Sequence, residues 1–224
     1  MVFYYHMNYT EKELQENYDK FIEFIQTQFT GERLKKLMYL YGDTEYGYQL
    51  SISPASPKDY TNNSYIGGYL DHIMTFYKSS VGVKKLWEVM GSIIDFTNEE
   101  LAFSAINSGL GILGDKDIGP YYLVNDSEWH IKNTGALYKV NADLQHMLIS
   151  DRSLFILQKY EIPCSWKEYL AIKLSNGLYN EGNKSYLYNF SKEMDLKTNL
   201  PRVIHEAYMT AYQAEIDILN QKNL

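Results

Sequence analysis

A chain of 224 residues with 45% hydrophobic and 22% charged side chains has the make-up of a globular protein with enough apolar surface for a sizeable core, in one large domain or two small ones. Its formal net charge of -7 offers no global field for nucleic acid, and no apolar run reaches the roughly 18 residues of a membrane span. A single cysteine, Cys164, excludes an internal disulfide and a thiolate zinc cage; beside Pro163 it reads as a small packed residue rather than a nucleophile.

The stretch Met1-Val-Phe-Tyr-Tyr-His6 lacks a basic region followed by a long apolar one, so it does not read as a secretory signal. Thr10-Glu-Lys-Glu13 is a capping box, and it predicts a helix to about Phe29. Phe21, Ile22, Phe24, Ile25 and Phe29 form that helix's apolar stripe. Gly31 ends it, and Glu32 to Tyr41 make a second short helix. From Tyr46 to Asn63 the chain reads as irregular, with Ser53-Pro-Ala-Ser-Pro57 a turn-rich connector suited to a mobile loop. Helical sequence resumes at Tyr65, where Gly67-Gly68 permit a close approach and Tyr69, Leu70, Ile73, Met74 and Phe76-Tyr77 form an apolar face. Gly82 is expected to separate this helix from another, Val83 to Phe96.

Thr97-Asn-Glu-Glu100, a second capping box, opens a helix running into the glycine-punctuated loop Ala105-Ile-Asn-Ser-Gly-Leu-Gly-Ile-Leu-Gly-Asp115. A polar, aromatic connector from Gly119-Pro-Tyr-Tyr122 to Trp129 follows, then a short helix around Ile131–Tyr138. Ser150-Asp-Arg-Ser153 starts a helix to about Tyr160. Ser165-Trp-Lys-Glu168, a third capping box, starts one to about Leu174. Asn180-Glu-Gly-Asn-Lys184 reads as a loop, and Pro201 stands in the first turn of a last helix, Arg202 to about Leu219. No segment alternates convincingly as a strand. The expected fold is all-α, one domain of roughly eight to ten helices with long connectors.

The five histidines, His6, His72, His130, His146 and His205, contain no i, i+4 pair of the kind that binds zinc on a helix. Gly109, Gly111 and Gly114 follow no strand and lack the Gly-Lys-Ser/Thr ending of a phosphate loop. No G-x-S-x-G elbow occurs, and Ser108 has no base evident in the sequence. Tyr121, Tyr122, Trp129, Tyr138, Trp166, Tyr179, Tyr186 and Tyr188 have the chemistry to stack bases. Packing in a tyrosine-rich chain accounts for them better, because the charge supports no strand-binding groove.

Two segments resemble HD-domain phosphohydrolases. Asn63-Ser-Tyr-Ile-Gly-Gly-Tyr-Leu-Asp-His72 is similar to their H-A-Y-x-G-G-L-L-E-H, and Ala105 to Asp115 is similar to their A-L-x-H-D-L-G-K-I-G-D. Trp129, Gly135-Ala-Leu-Tyr138, Asp151-Arg-Ser153, Tyr169-Leu-Ala-Ile172, Gly177-Leu-Tyr-Asn-Glu181 and His205-Glu-Ala-Tyr208 continue the likeness in order, in the manner of a branch common in tailed bacteriophages. The resemblance makes residues 1–62 N-terminal helices and connector, and 63–215 an HD-like core. It implies an all-α fold, divalent metals held by histidine, a His-Asp pair and a distant aspartate, and hydrolysis of phosphate esters, often of nucleotides. Residue by residue, His72 matches the first histidine ligand. The His-Asp pair becomes Ser108 and Gly109, the following lysine Ile112, a second histidine Ser175 with Asn176 after it, and a late aspartate Tyr208.

A hydroxyl and a glycine do not replace imidazole and carboxylate around a divalent ion, and metal-bound hydroxide is what such a site uses against phosphorus. The expectation is therefore a pseudoenzyme with no catalytic residue, metal or cofactor, in which His72, Ser108, Gly109, Ser175, Asn176 and Tyr208 mark a degenerate ancestral site. A ligand cleft is expected at His72, Asp115, Lys116, Trp129 and Tyr179, taking a nucleotide-type molecule. A protein partner or a homo-oligomer is the other expected association, without membrane or nucleic acid, in the cytoplasm (the host's, for a phage protein) or the virion. An alternative is a metal-dependent nucleotide phosphohydrolase using Mn, Mg or Fe at a relocated site, Asp71, His72, Asp115, Asp117 and His130. A third reading is a structural or assembly protein of a phage particle, with the Gly119–Trp129 connector and the Ser53–Tyr60 loop as contact surfaces.

Overall fold

The computed structural model describes residues 9–59, 61–188 and 191–222. The Met1–His6 stretch and Tyr60 lie outside the described residues. In chain order the elements are α1 (Glu11–Gln28), α2 (Gly31–Gly42), α3 (Glu45–Ile52), α4 (Gly68–Val89), α5 (Asn98–Asn107), β1 (Tyr122–Val124), α6 (Glu128–Thr134), β2 (Tyr138–Val140), α7 (Ile149–Lys159), α8 (Trp166–Leu174), α9 (Lys184–Leu187) and α10 (Leu200–Lys222). The fold is predominantly all-α, as expected. Among the described residues no helix is long and apolar enough to cross a membrane.

All three capping boxes form. Thr10, Thr97 and Ser165 each accept from the backbone N–H three residues on, and Glu13, Glu100 and Glu168 reach back to the cap N–H. These reciprocal bonds satisfy donors that a helix start leaves open, which is why α1, α5 and α8 begin where the sequence predicts.

Elsewhere the expectations need correction. Tyr46 to Asn63 is not wholly irregular: Thr44 caps α3 by accepting from Tyr46 N–H, and Tyr46, Gly47 and Leu50 are buried at helical spacing. Gly82 does not end a helix. A Cβ there would meet nothing within 4 Å, and Phe76, Ser80 and Val83 keep one buried stripe through it. Glycine inside a helix costs about 1 kcal/mol, too little to override that packing. The helix placed at Ile131–Tyr138 starts earlier, because Ser127 caps α6, and ends at Gly135 in the left-handed region (φ 61°). Tyr138 instead begins β2, which pairs antiparallel with β1, Tyr122 opposite Val140.

The Ser53–Tyr60 loop is neither free nor outward-facing where it is described. Residues 53–56 are buried. Ala55 N–H bonds Asn63 O at 3.0 Å, Tyr69 N–H bonds Ser53 O at 2.9 Å and Tyr138 N–H bonds Pro57 O at 3.0 Å.

The core falls into two groups. One joins Phe21, Ile25, Leu37, Leu40, Tyr69, Ile73, Phe103 and Ile106; the other joins Phe76, Val83, Leu101, Ala105, Val203, Ile204 and Ala207. Helices α4 and α5 contribute to both. Helix α10 packs along α4 and α8, and the junction of the two groups is where the candidate site lies.

Candidate functional site

The six residues matched to the metal-site positions, His72, Ser108, Gly109, Ser175, Asn176 and Tyr208, come from distant parts of the chain and line one cavity of about 190 Å³. The close approach expected at Gly67-Gly68 is real. A Cβ on Gly68 would sit 2.1 Å from Asn63 O, and Gly67 has φ 83°. The connector is thereby pressed on the start of α4 and brings Ser56 and Asn62 to the cavity wall beside His72.

Ser108 and Ser175 end α5 and α8. Ser108 Oγ donates to Ser104 O at 2.6 Å and Ser175 Oγ to Ile172 O at 3.0 Å, so both hydroxyl hydrogens are spent on the preceding helical turn. The loop after Ser108 keeps a fixed shape. Gly111 N–H bonds Ser153 Oγ at 2.8 Å, and a Cβ on Gly111 would lie 2.4 Å from Ile149 O. At Gly114, φ is 86°, and Asp115 N–H bonds Gly119 O at 3.0 Å. Position 109 differs: its φ is -103°, open to any residue, but a Cβ would stand 3.0 Å from Tyr69 Cε2 and 3.1 Å from its hydroxyl.

His72 is buried and held by a partner that the sequence reading did not single out. Glu215, on α10 and also buried, lies with Oε2 2.9 Å and Oε1 3.1 Å from His72 Nδ1, and accepts from Asn62 Nδ2 at 2.9 Å. An ionised carboxylate only accepts, so Nδ1 carries a hydrogen directed at Glu215. Tyr208 meets the His72 ring edge-on at 5.7 Å, and Phe76 stacks on it at 6.2 Å. Burial, then Tyr212 and Glu215, push the Tyr208 phenol up to about 12. Burial also raises Tyr122, on the same wall. Both present neutral hydroxyls at neutral pH. Among the described residues no lysine or arginine lines the cavity.

A signal for Glu215 was present. Ile204, Ala207 and Ala211 recur at helical spacing and are buried. Glu215 continues that stripe, a carboxylate on an apolar face.

The residues do not fit the divalent ions that the resemblance implies. Such an ion needs several imidazole, carboxylate or thiolate donors converging. Among the described residues the cavity has one imidazole, whose Nδ1 faces Glu215, among hydroxyls and two amides. Among the described residues no group of three or more His, Cys, Asp or Glu is placed to hold a metal.

The relocated set does not converge. Asp71 accepts from the Tyr9 and Tyr65 hydroxyls at 2.8 Å each. Asp115 and Asp117 pair with Lys159, and exposed His130 bonds Ser127 Oγ at 2.8 Å. The expected cleft is corrected too: of its five residues only His72 lines the cavity. Asp115 serves a turn, with Oδ1 accepting from Asp117 N–H at 2.9 Å, and Lys116 is exposed. Trp129 is 63% exposed and Tyr179 81%. Cys164 is a packed thiol, as expected, and burial pushes it up to about 12.

No protein-family model, curated protein or solved structure matches this chain.

Proposed function

We propose that this chain is a degenerate HD-like pseudoenzyme, of the bacteriophage type, that binds a nucleoside-type ligand in the old metal cleft without hydrolysing it. The observation that carries the reading is a coupled departure at two positions. Where the family pattern has aspartate the chain has Gly109, and where it has leucine the chain has Tyr69, whose ring occupies the space a side chain at 109 would enter. The core closed over the vacated position, as a scaffold kept for its shape would do.

The cavity's chemistry favours an uncharged ligand head. Its polar wall is imidazole, hydroxyl and amide, and among the described residues no lysine or arginine stands on it to meet a phosphate. At about 190 Å³ it is smaller than the roughly 300 Å³ at which pockets for whole drug-sized ligands begin. A base or sugar fits that description better than an entire nucleotide.

The test is thermal unfolding with adenosine, uridine and their 5′-monophosphates, each with and without Mn²⁺, alongside a phosphate-release assay. A ligand at 100 times its dissociation constant adds about 2.7 kcal/mol, and for a chain of this size each kcal/mol is worth about 2–4 °C. A nucleoside is expected to produce a shift of that order, to which phosphate and Mn²⁺ add nothing, and no phosphate is released. Mn²⁺-dependent release that disappears in His72→Ala would overturn the reading.

A further inference from the structure

A second cavity, of about 320 Å³, lies on the far side of the His72–Asn62–Glu215 trio. His72 and Asn62 line the first cavity, and Glu215 lines this one. Two polar groups on its wall lack a partner among the described residues. Asp71 Oδ2 takes the Tyr9 and Tyr65 hydroxyls, which leaves Oδ1 without a partner among the described residues. Ser64, 5% exposed, also lines it, and its hydroxyl has no hydrogen-bond partner among the described residues. A buried hydroxyl left unpaired is destabilising, so a ligand able to pair with it recovers free energy that the empty site lacks.

The remaining wall sets the ligand's other features. Tyr9 and Tyr65 pack edge to face, with centroids 6.1 Å apart, and present ring surface beside the Asp71 carboxylate. Met74, Ile218 and Leu219 make an apolar side. The wall carries one cation, Lys78, which is exposed. Carboxylates, an unpaired hydroxyl and aromatic rings together are what an ammonium group takes in place of its water shell.

The geometry points to a binding site for an organic cation, a primary ammonium on an apolar stem, seated against Asp71 and Glu215 with its stem on Met74, Ile218 and Leu219. Glu215, hydrogen-bonded to His72, is the link between this site and the first cavity.

Calorimetric titration of the full chain with n-hexylammonium chloride tests it, with n-hexanol and hexanoate as probes of the same stem. Hexylammonium is expected to bind saturably, and the alcohol and the acid at least tenfold more weakly. Asp71→Asn keeps an acceptor for both tyrosine hydroxyls and is expected to weaken hexylammonium at least tenfold. Lys78→Glu, at an exposed position, is expected to tighten it several-fold. The inference is overturned if hexanol binds as well as the ammonium, if no saturable binding occurs, or if a folded Asp71→Asn binds like wild type. Should Asp71→Asn fail to fold, Lys78→Glu decides, and an unchanged or weaker affinity there rejects the site.

Discussion

At position 109 the backbone does not require glycine, and a neighbouring side chain does. With φ at -103° a side chain is allowed, but its first atom would press on the Tyr69 ring at 3.0 Å. Overfilling a packed core in this way costs about 1–3 kcal/mol. Gly109→Ala is therefore expected to lose stability in that range. Tyr69→Leu removes the obstacle together with a buried hydroxyl that has no partner. In the double variant the alanine should cost less than it does alone, with a favourable coupling of about 0.5–3 kcal/mol. Urea unfolding of the four proteins measures it, and simple additivity would remove the argument from coupled departure. The six aligned residues of the site were legible because each lies in a motif. Asn62 was not, and Glu215 showed only as a carboxylate on an apolar face: the bonds it makes to His72 and Asn62 span 143 and 153 positions and exist only once α10 docks on α4.

Capping boxes were the most legible signals at the level of elements, because cap and responder sit three residues apart and need no tertiary partner. The β1–β2 hairpin was not legible. It is three residues per strand and pairs across α6, with its neighbour contact supplied by Pro57 from far upstream. The third box does more than start a helix. Glu168 is fully buried, accepts Ser165 N–H at 2.7 Å, and receives both ends of the Arg33 fork at 2.7 and 3.1 Å. Arg33 also reaches Glu99 at 3.1 Å and lies 4.6 Å over Phe103. One guanidinium thus ties α2, α5 and α8. Burial pushes the Glu168 carboxyl above the ordinary glutamate range, against the pull of Ser165 and Arg33. A folded value above the unfolded one means its contribution is full below the unfolded value, about 4.3, and is lost as pH rises through the folded value. Glu168→Gln cannot ionise, so its stability relative to wild type should improve between pH 4 and 7. Arg33→Ala strands the charge instead. It should cost about 3–5 kcal/mol at pH 7 and less in acid. Denaturant unfolding at both pH values checks the pair of signs, and a Glu168→Gln deficit that grows with pH contradicts the account.

Across the whole molecule, the site lies where two core groups share helices. Ile73 of α4 belongs to one group and Phe76 to the other, and both line the first cavity. Phe103 and Ala105 divide α5 in the same way. Neither group can lose its packing while α4 and α5 stay fixed for the other, so the geometry of the cavity and the stability of the fold should be one quantity. Phe21→Ala opens the first group and Phe76→Ala the second, each a fully or nearly fully buried ring whose truncation costs about 3–5 kcal/mol. Each is expected to lower a single unfolding transition, with far-UV circular dichroism and tryptophan fluorescence coinciding, as cooperative unfolding requires. Trp87 packs against the second group, and with the exposed Trp129 and Trp166 replaced by phenylalanine the fluorescence reports on that side. If Phe21→Ala shifts the circular dichroism and leaves the fluorescence transition in place, the two groups melt separately. The cavity between them would then be a seam between independently stable parts, and ligand binding there would stabilise only the side that carries His72 and Tyr208.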